Sequence, residues 1–261
     1  MSRDDTPSAE GAAGAVPRDR CPLCGGANAC AMAAGDASPC WCVAAVFDEA
    51  LLARVPLAAR GRACVCAACA ASTFRPVALE HASRLINHGP TVLVTSAAGA
   101  RRNVMAAAWS MPVEFTPPRI AVVIDKHTFT RELVVASGAF GICLPGTTLI
   151  DLTWAVGGAS GRDVDKLARH DLVTVAGPVL GVPLLEAGCA AWLECRLIRE
   201  PHAEDAYDTC FAEVVAAAAD PRVFADGHWS FRDDNVGLQT IHHLGGGHFV
   251  HAGAVARANP A

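Results

Sequence analysis

The sequence predicts a mainly β, α+β fold: a β-barrel with inserted helices, preceded by a small cysteine-rich module that binds metal. Three observations point there. From about residue 73 onward, β-type segments follow one another at short spacing with helical segments between them, the pattern of a barrel and not of a doubly wound sheet. No G-x-G-x-x-G follows a strand, and neither the P-loop motif G-x-x-x-x-G-K-S/T nor the elbow G-x-S-x-G occurs. Eight of the twelve cysteines fall before residue 70. The 261 residues are 52% apolar, ample for a packed core, and a formal net charge of −5 without a basic cluster argues against nucleic acid as a partner.

Residues 1–20, rich in Ala, Gly, Asp and Arg, read as a disordered lead. With acids at Asp4 and Asp5 and no apolar core, they do not form a signal peptide. No apolar run reaches the length of a membrane span. The expectation is a soluble cytoplasmic protein with no membrane partner, whose clustered cysteines bind metal in preference to forming disulfides. Residues 21–70 carry Cys21-x2-Cys24, Cys30, Cys40-Trp41-Cys42, Cys64 and Cys66-x2-Cys69. Each C-x-x-C knuckle turns two thiolates toward one ion. Cys21, Cys24, Cys66 and Cys69 therefore make one four-thiolate site, and Cys30, Cys40, Cys42 and Cys64 a second. Structural zinc is the first reading, with iron–sulfur ligation or a redox-switchable thiol cluster as alternatives. Metal supplies the folding energy that so short a segment cannot obtain by burial. Between the clusters, Val46, Leu51, Leu52 and Val55 predict one amphipathic helix over 44–57.

The main domain spans 73–255, followed by a tail at 256–261. Strands are expected at 91–96 (TVLVTS), 119–125 (RIAVVID), 191–198, 211–217 and 248–255, and helices at 131–137, 148–156 and 164–170. Within 191–198, Leu193, Cys195 and Leu197 share one face, and Glu194 and Arg196 the other. His242, His243, His248 and His251 surround the glycines at 245–247. They predict a strand pair with a glycine turn, with a mononuclear metal site as the minor alternative. Cys143, Cys189, Cys195 and Cys210 lie in apolar segments as small buried residues.

Taken in order, TVLVTS (91–96), NVMAAAWS (103–110), PPRIAVVI (117–124), KHTFT (126–130), FGICLP (140–145), SGRDVDK (160–166) and LEC (193–195) resemble the flavin reductase-like family, which includes flavoredoxins. The segment 21–70 resembles the cysteine-rich CWC family through Cys40-Trp41-Cys42. The first resemblance implies an FMN-binding split β-barrel, a homodimer and an oxidoreductase. NAD(P)H would be the cosubstrate, and electrons would leave to free flavin, ferric iron or a partner protein. It also implies Asn103, Trp109, Thr130 and Lys166 as flavin contacts. Their chemistry suits that role: Ser110, Thr128 and Thr130 offer hydroxyl donors near turns where N–H groups cradle a phosphate. Asn103 both donates and accepts toward the ring edge, Trp109 packs beside it, and Lys166 places positive charge near flavin N1 and the C2 carbonyl. Lys126, the other of two lysines among nineteen arginines, falls in the KHTFT segment. Tyr207 stands where family members often carry His, and no ribose-reading motif chooses between NADH and NADPH. A different class of function, a non-enzymatic redox sensor binding flavin and zinc, uses the cysteine module as its output.

Overall fold

The chain divides into two units, Met1–Ala70 and Ala71–Ala261. The computed structural model describes residues 17–23, 27–36, 38–47, 49–53, 55–70 and 74–258. In the first unit the helices are short: α1 (Ala31–Ala34), α2 (Glu49–Ala53) and α3 (Ala67–Ala70), with 3-10 turns at Trp41–Ala44 and Leu57–Ala59. The single helix expected over 44–57 is not formed. Ala45 is extended (φ −87°, ψ 144°), so the chain has left helical geometry before Val46, and Pro56 disfavours helix at the residue before it. Leu51 and Val55 are buried while Val46 and Leu52 are exposed. The polar centre of the unit is Asn28, which is 1% exposed. Its Nδ2 donates to the carbonyls of Arg18 (2.8 Å), Arg20 (3.2 Å) and Cys64 (3.1 Å), and its Oδ1 accepts from the Cys30 N–H at 3.1 Å. Trp41 Nε1 donates to the Asn28 carbonyl at 3.1 Å, which anchors the Cys-Trp-Cys turn to the same hub.

The second unit carries the strands β1 (Arg75–Pro76), β2 (Val92–Ala98), β3 (Arg101–Ala107), β4 (Ser110–Phe115), β5 (Pro118–Val123), β6 (Ala139–Pro145), β7 (Val175–Ala176), β8 (Pro183–Leu184), β9 (Cys189–Ile198), β10 (Thr209–Ala219), β11 (Phe224–Ala225), β12 (His228–Trp229), β13 (Ile241–Gly245) and β14 (His248–His251). Its helices are α4 (Phe129–Ser137), α5 (Ile150–Gly157), α6 (Lys166–Arg169) and α7 (Pro201–Tyr207). The main sheet runs β3-β2-β6-β9-β10-β5-β4, every neighbouring pair antiparallel, with β1 added on β10. Its two edges, β3 and β4, are consecutive in the chain and separated by Ala108 and Trp109 alone, yet no ladder joins them. A sheet whose first and last strands are tied this closely has to curl back on itself, and the unpaired seam makes it a split barrel.

Alternation fills the interior. Val92 and Val94, Ile120 and Val122, Phe140, Ile142 and Leu144, and Ala191, Leu193 and Cys195 point to one core, joined by Leu85 and Ile86 from the 3-10 segment Leu79–Leu85. On β10 the inward set changes from Ala212 and Val214 to Ala217 and Ala219, because a bulge between Val214 and Ala216 shifts the register. Cys143, Cys189, Cys195 and Cys210 are all fully buried, as expected of small core residues. The fold class is the one the sequence predicts, a mostly antiparallel sheet with inserted helices.

Besides the two-residue strands β1, β7, β8, β11 and β12, three long strands of the main sheet and one helix escape the sequence pattern. β3 opens on Arg101-Arg102-Asn103 and continues into alanines, which carry little β signature. β6 is buried along its whole length and contains Gly141 and Pro145, residues that read as turn punctuation. β4 alternates only over its first four residues, and its exposed positions apart from Glu114 are the apolar Met111, Val113 and Phe115. α7 starts at Pro201, where proline suits the first helical turn. Glu194 also departs from expectation. It is fully buried, and its carboxylate accepts from the N–H groups of Val179 (2.9 Å) and Leu180 (2.6 Å) in the turn that covers it.

Arg131 on α4 and Glu204 on α7 form an ion pair at 3.3 Å with both side chains at least nine-tenths buried. Arg131 also donates to the Ile124 carbonyl at 3.0 Å, which joins the start of α4 to the end of β5. Glu204→Ala leaves that guanidinium buried without its partner. The expected loss is about 3–5 kcal/mol of unfolding free energy, read by urea denaturation, and a loss near zero would rule out a structural role for the pair.

Candidate functional site

The N-terminus of α4, β3, the end of α5 and the loop into α6 meet around a cavity of 300 Å³. Thr128 caps α4. Its Oγ1 accepts from the Arg131 N–H at 3.2 Å and donates to the Asp125 carbonyl at 2.8 Å. The first N–H groups of a nine-residue helix therefore face a polar pocket, the geometry that favours an anion. Asn103, 2% exposed on β3, donates from Nδ2 to Thr130 Oγ1 at 2.8 Å, while its Oδ1 is buried and has no partner. An orphaned buried acceptor in a cavity wall asks for a donor from a ligand. Gly161 makes the cradle possible, since a Cβ there would clash with Asn103 Oδ1.

Arg162 lines the same cavity. Its guanidinium donates to the His127 carbonyl at 2.8 Å and lies 3.5 Å from Glu132 Oε2. Arg101 pairs with Glu132 Oε1 at 2.6 Å, and its hydrogen bond holds the Glu132 carboxyl below the usual range. Both guanidiniums sit over the Phe129 ring, 5.6 Å (Arg101) and 5.8 Å (Arg162) from its centroid.

Lys166 opens α6 behind the Asp165 cap. Its Nζ donates to the carbonyls of Val104 at 2.9 Å and Val156 at 2.7 Å, and no carboxylate pairs with it among the described residues. Burial pushes its ammonium down to about 8. An ammonium has three N–H donors, so one is left for a ligand.

Of the residues singled out in the sequence, Asn103, Thr128, Thr130 and Lys166 line this one cavity. Trp109, Ser110 and Lys126 do not. Trp109 is 74% exposed at the start of β4, the Ser110 hydroxyl is buried without a partner, and Lys126 pairs with Asp208 at 3.5 Å. Sequence reasoning quoted His127, Gly161 and Arg162 inside motifs but gave them no role. The available signal is a glycine followed by a cation, Gly161-Arg162, in the loop between α5 and α6.

The cysteine unit shows a second arrangement. The sulfurs of Cys21, Cys66 and Cys69 are buried and lie within 4.8 Å of one another. Cys24, expected as the fourth ligand, lies outside the described residues. Cys40 and Cys42 approach to 3.2 Å and Cys30 and Cys64 to 3.5 Å. The His-rich hairpin brings together no comparable group among the described residues. No helix there is long and apolar enough to cross a membrane.

Family comparison gives two matches: the flavin reductase like domain over residues 84–232 and the cysteine-rich CWC domain over residues 21–71. The chain is 58% identical over 184 residues to the uncharacterized protein YddH of Escherichia coli (strain K12), covering 70% of this chain and 96% of that one. Among solved structures it is similar to an FMN-binding domain of a flavin reductases-like enzyme from Shewanella baltica OS155. The identity is 40% and the TM-score 0.69, over 72% of this chain and 98% of that one. Flavoredoxin of Desulfovibrio vulgaris (Miyazaki F) shares the fold at 24% identity and a TM-score of 0.57, over 65% of this chain and 90% of its own.

The buried ammonium has a pH signature. Folded Lys166 gives up its proton near 8, whereas the unfolded chain holds it to the ordinary lysine value of 10.5. Between those values the unfolded state binds more protons, so stability rises with pH across the window. Urea unfolding of wild type and Lys166→Met from pH 8 to 10.5 should show the wild type gaining stability relative to the variant, since the buried thiols, pushed up by burial, lower the stability of both alike. Parallel profiles would mean that Lys166 is hydrated.

Proposed function

This chain belongs to the flavin reductase-like domain family, and on that premise we propose that it is an FMN-dependent oxidoreductase using NAD(P)H. The observation that carries the reading is the unpartnered Asn103 Oδ1 facing the same cavity as the uncommitted Lys166 donor and the α4 N-terminus. When bound, FMN supplies hydride chemistry, accepting from a nicotinamide nucleotide and passing electrons to an acceptor. The rest falls to the chain. Thr130 and the first N–H groups of α4, which the Thr128 cap leaves open, would hold a phosphate by charge-assisted hydrogen bonds with Arg162 beside them. Asn103 orients the polar edge of the ring by accepting from an N–H. Lys166 keeps a positive charge at that edge and favours the electron-rich form. No acid–base side chain is required by hydride transfer itself. The FMN-binding relative from Shewanella baltica, 40% identical, supports the choice of flavin.

The N-terminal unit is read as a structural zinc module. One ion is held by Cys21, Cys66 and Cys69 with Cys24, and a second by Cys30, Cys40, Cys42 and Cys64. The convergence of three buried sulfurs supports the first site, and the two close thiol pairs support the second. One purified sample of the full chain tests both parts. It should be yellow, oxidise NADH or NADPH, and contain about two zinc ions per chain. Asn103→Ala should weaken FMN binding by about tenfold or more, a loss of about 1.4 kcal/mol. A colourless protein that takes up no added FMN, or one free of metal with all thiols titratable, would overturn the respective part.

A homodimer is the assembly we propose. Trp109, just before the edge strand β4, and Met111, Val113 and Phe115 within it are 74%, 58%, 40% and 70% exposed. Four large exposed apolar side chains along one unpaired edge are a cluster that a lone chain seldom leaves in water. Sedimentation should give the mass of two chains for the wild type and of one for Phe115→Asp. A monomeric wild type sinks the proposal.

A further inference from the structure

The two sets of cysteines in the N-terminal unit are arranged differently. Among the described residues, only Cys21, Cys66 and Cys69 bring three sulfurs within 4.8 Å of one another, and all three are buried. Cys30, Cys40, Cys42 and Cys64 stand instead as two close pairs. Cys42 Sγ donates to Cys40 Sγ at 3.2 Å, and Cys64 Sγ donates to Cys30 Sγ at 3.5 Å. In each pair one member, Cys40 or Cys30, is buried, and the other, Cys42 or Cys64, is half-buried.

Both half-buried cysteines open onto one cavity of 570 Å³. Phe47, Leu52 and Val65 give it an apolar wall, and its charged residues, Glu49 and Arg60, are one of each sign. The Arg60 guanidinium is turned to the backbone, donating from Nε to the Val55 carbonyl at 3.0 Å. An apolar cavity of about 150 Å³ already accepts benzene, so this one takes an aryl or alkyl group with a small polar head. What such a cavity concentrates meets a thiol on its wall. An alkylating ligand needs one thiol alone, whereas a second thiol held directly behind the first is what disulfide closure uses. Cys40 and Cys42 begin the same 3-10 turn, which Trp41 Nε1 anchors to Asn28, so this pair can close within one segment. Cys30 and Cys64 lie 34 positions apart.

We propose that this cavity delivers an apolar organic hydroperoxide to Cys42, and that Cys42 and Cys40 close to a disulfide as the hydroperoxide is reduced. The Cys42 sulfur bonds to the terminal oxygen, the O–O bond breaks, and the alcohol leaves with the proton of the thiol. The Cys40 sulfur then displaces that oxygen as water, and the S–S bond forms. Two thiols give up two electrons, and the hydroperoxide becomes an alcohol and water. That closure also frees a zinc ion, by removing two of its four thiolates, rests on the second-site reading above. The oxidation itself does not.

The test treats the full chain, reduced and then freed of reductant, with cumene hydroperoxide or with hydrogen peroxide. Thiol loss, zinc seen by a chromogenic indicator, and disulfide-linked peptides by mass spectrometry are followed together. Relative to their rates with free cysteine, cumene hydroperoxide should act faster than hydrogen peroxide by about tenfold or more. The first disulfide should join Cys40 and Cys42, with one zinc ion released per chain. Cys40→Ser should stop at a sulfenic acid on Cys42, trapped by dimedone. Leu52 is 48% exposed, so Leu52→Gln leaves the packing intact. It should cut the preference for cumene hydroperoxide to less than about threefold. Equal relative rates for the two oxidants, a preference untouched by Leu52→Gln, or first oxidation at Cys21, Cys66 or Cys69 overturns the proposal. Two ions that stay bound while the thiols resist cumene hydroperoxide also overturn it and leave the zinc reading standing. Closure of Cys40 with Cys42 at the expected rate in a chain that never held the second ion would sink that zinc site and leave this proposal intact.

Discussion

The buried ammonium of Lys166 holds the site together. Its hydrogen bonds to the carbonyls of Val104 and Val156 tie the first turn of α6 to the middle of β3 and to the last turn of α5. Val104 is the neighbour of Asn103, so the same contact sets where the Asn103 amide stands. Val156 precedes Gly157 and Gly158, which wall the cavity. An ammonium taken out of water without a carboxylate is costly, and two carbonyls offset that only in part. The fold tolerates this cost at the position where a ligand can use the remaining donor, which is the usual relation between strain in the free protein and function in the bound one.

The barrel topology puts the other half of the site in place. Because β3 and β4 are sequence neighbours at opposite edges of the sheet, the barrel closes around its hydrophobic interior but leaves a seam. α4 and α5 pack against β3 on one side of that seam, while the bare edge of β4 presents its apolar stripe on the other. Concave binding surface and unpaired edge thus have one origin, a ladder that stops one pair short of closure.

The cysteine unit follows a different logic. It has few buried apolar side chains and no strand among its described residues, and its order comes from Asn28 and from converging sulfurs. A segment so small gains little from burial, so the Asn28 hub and the converging sulfurs of Cys21, Cys66 and Cys69 do the work a core does elsewhere.

Much of this was legible in the sequence. The knuckles Cys21-x2-Cys24 and Cys66-x2-Cys69 announce themselves by spacing. The strands at 91–96 and 191–198 show in their β-rich and alternating residues. These are local signals, set by chain geometry within a few residues. Other features were not legible. β6 is buried on both faces and carries no alternation, Glu194 lies under a turn fifteen residues upstream, and nothing local marks Asn103 Oδ1 as an orphan. Nor does composition separate the two lysines. Lys126 ends in an exposed ion pair with Asp208, while Lys166 is buried against a carbonyl 62 positions away. The sequence by itself determined the family, the strand-rich class and the cysteine ligands on offer, because those depend on residue type and short spacing. Which charges are buried and which polar atoms are left waiting for a ligand was decided only by the tertiary structure. Burial is a property of segments brought together across the whole chain, and local periodicity carries no record of it.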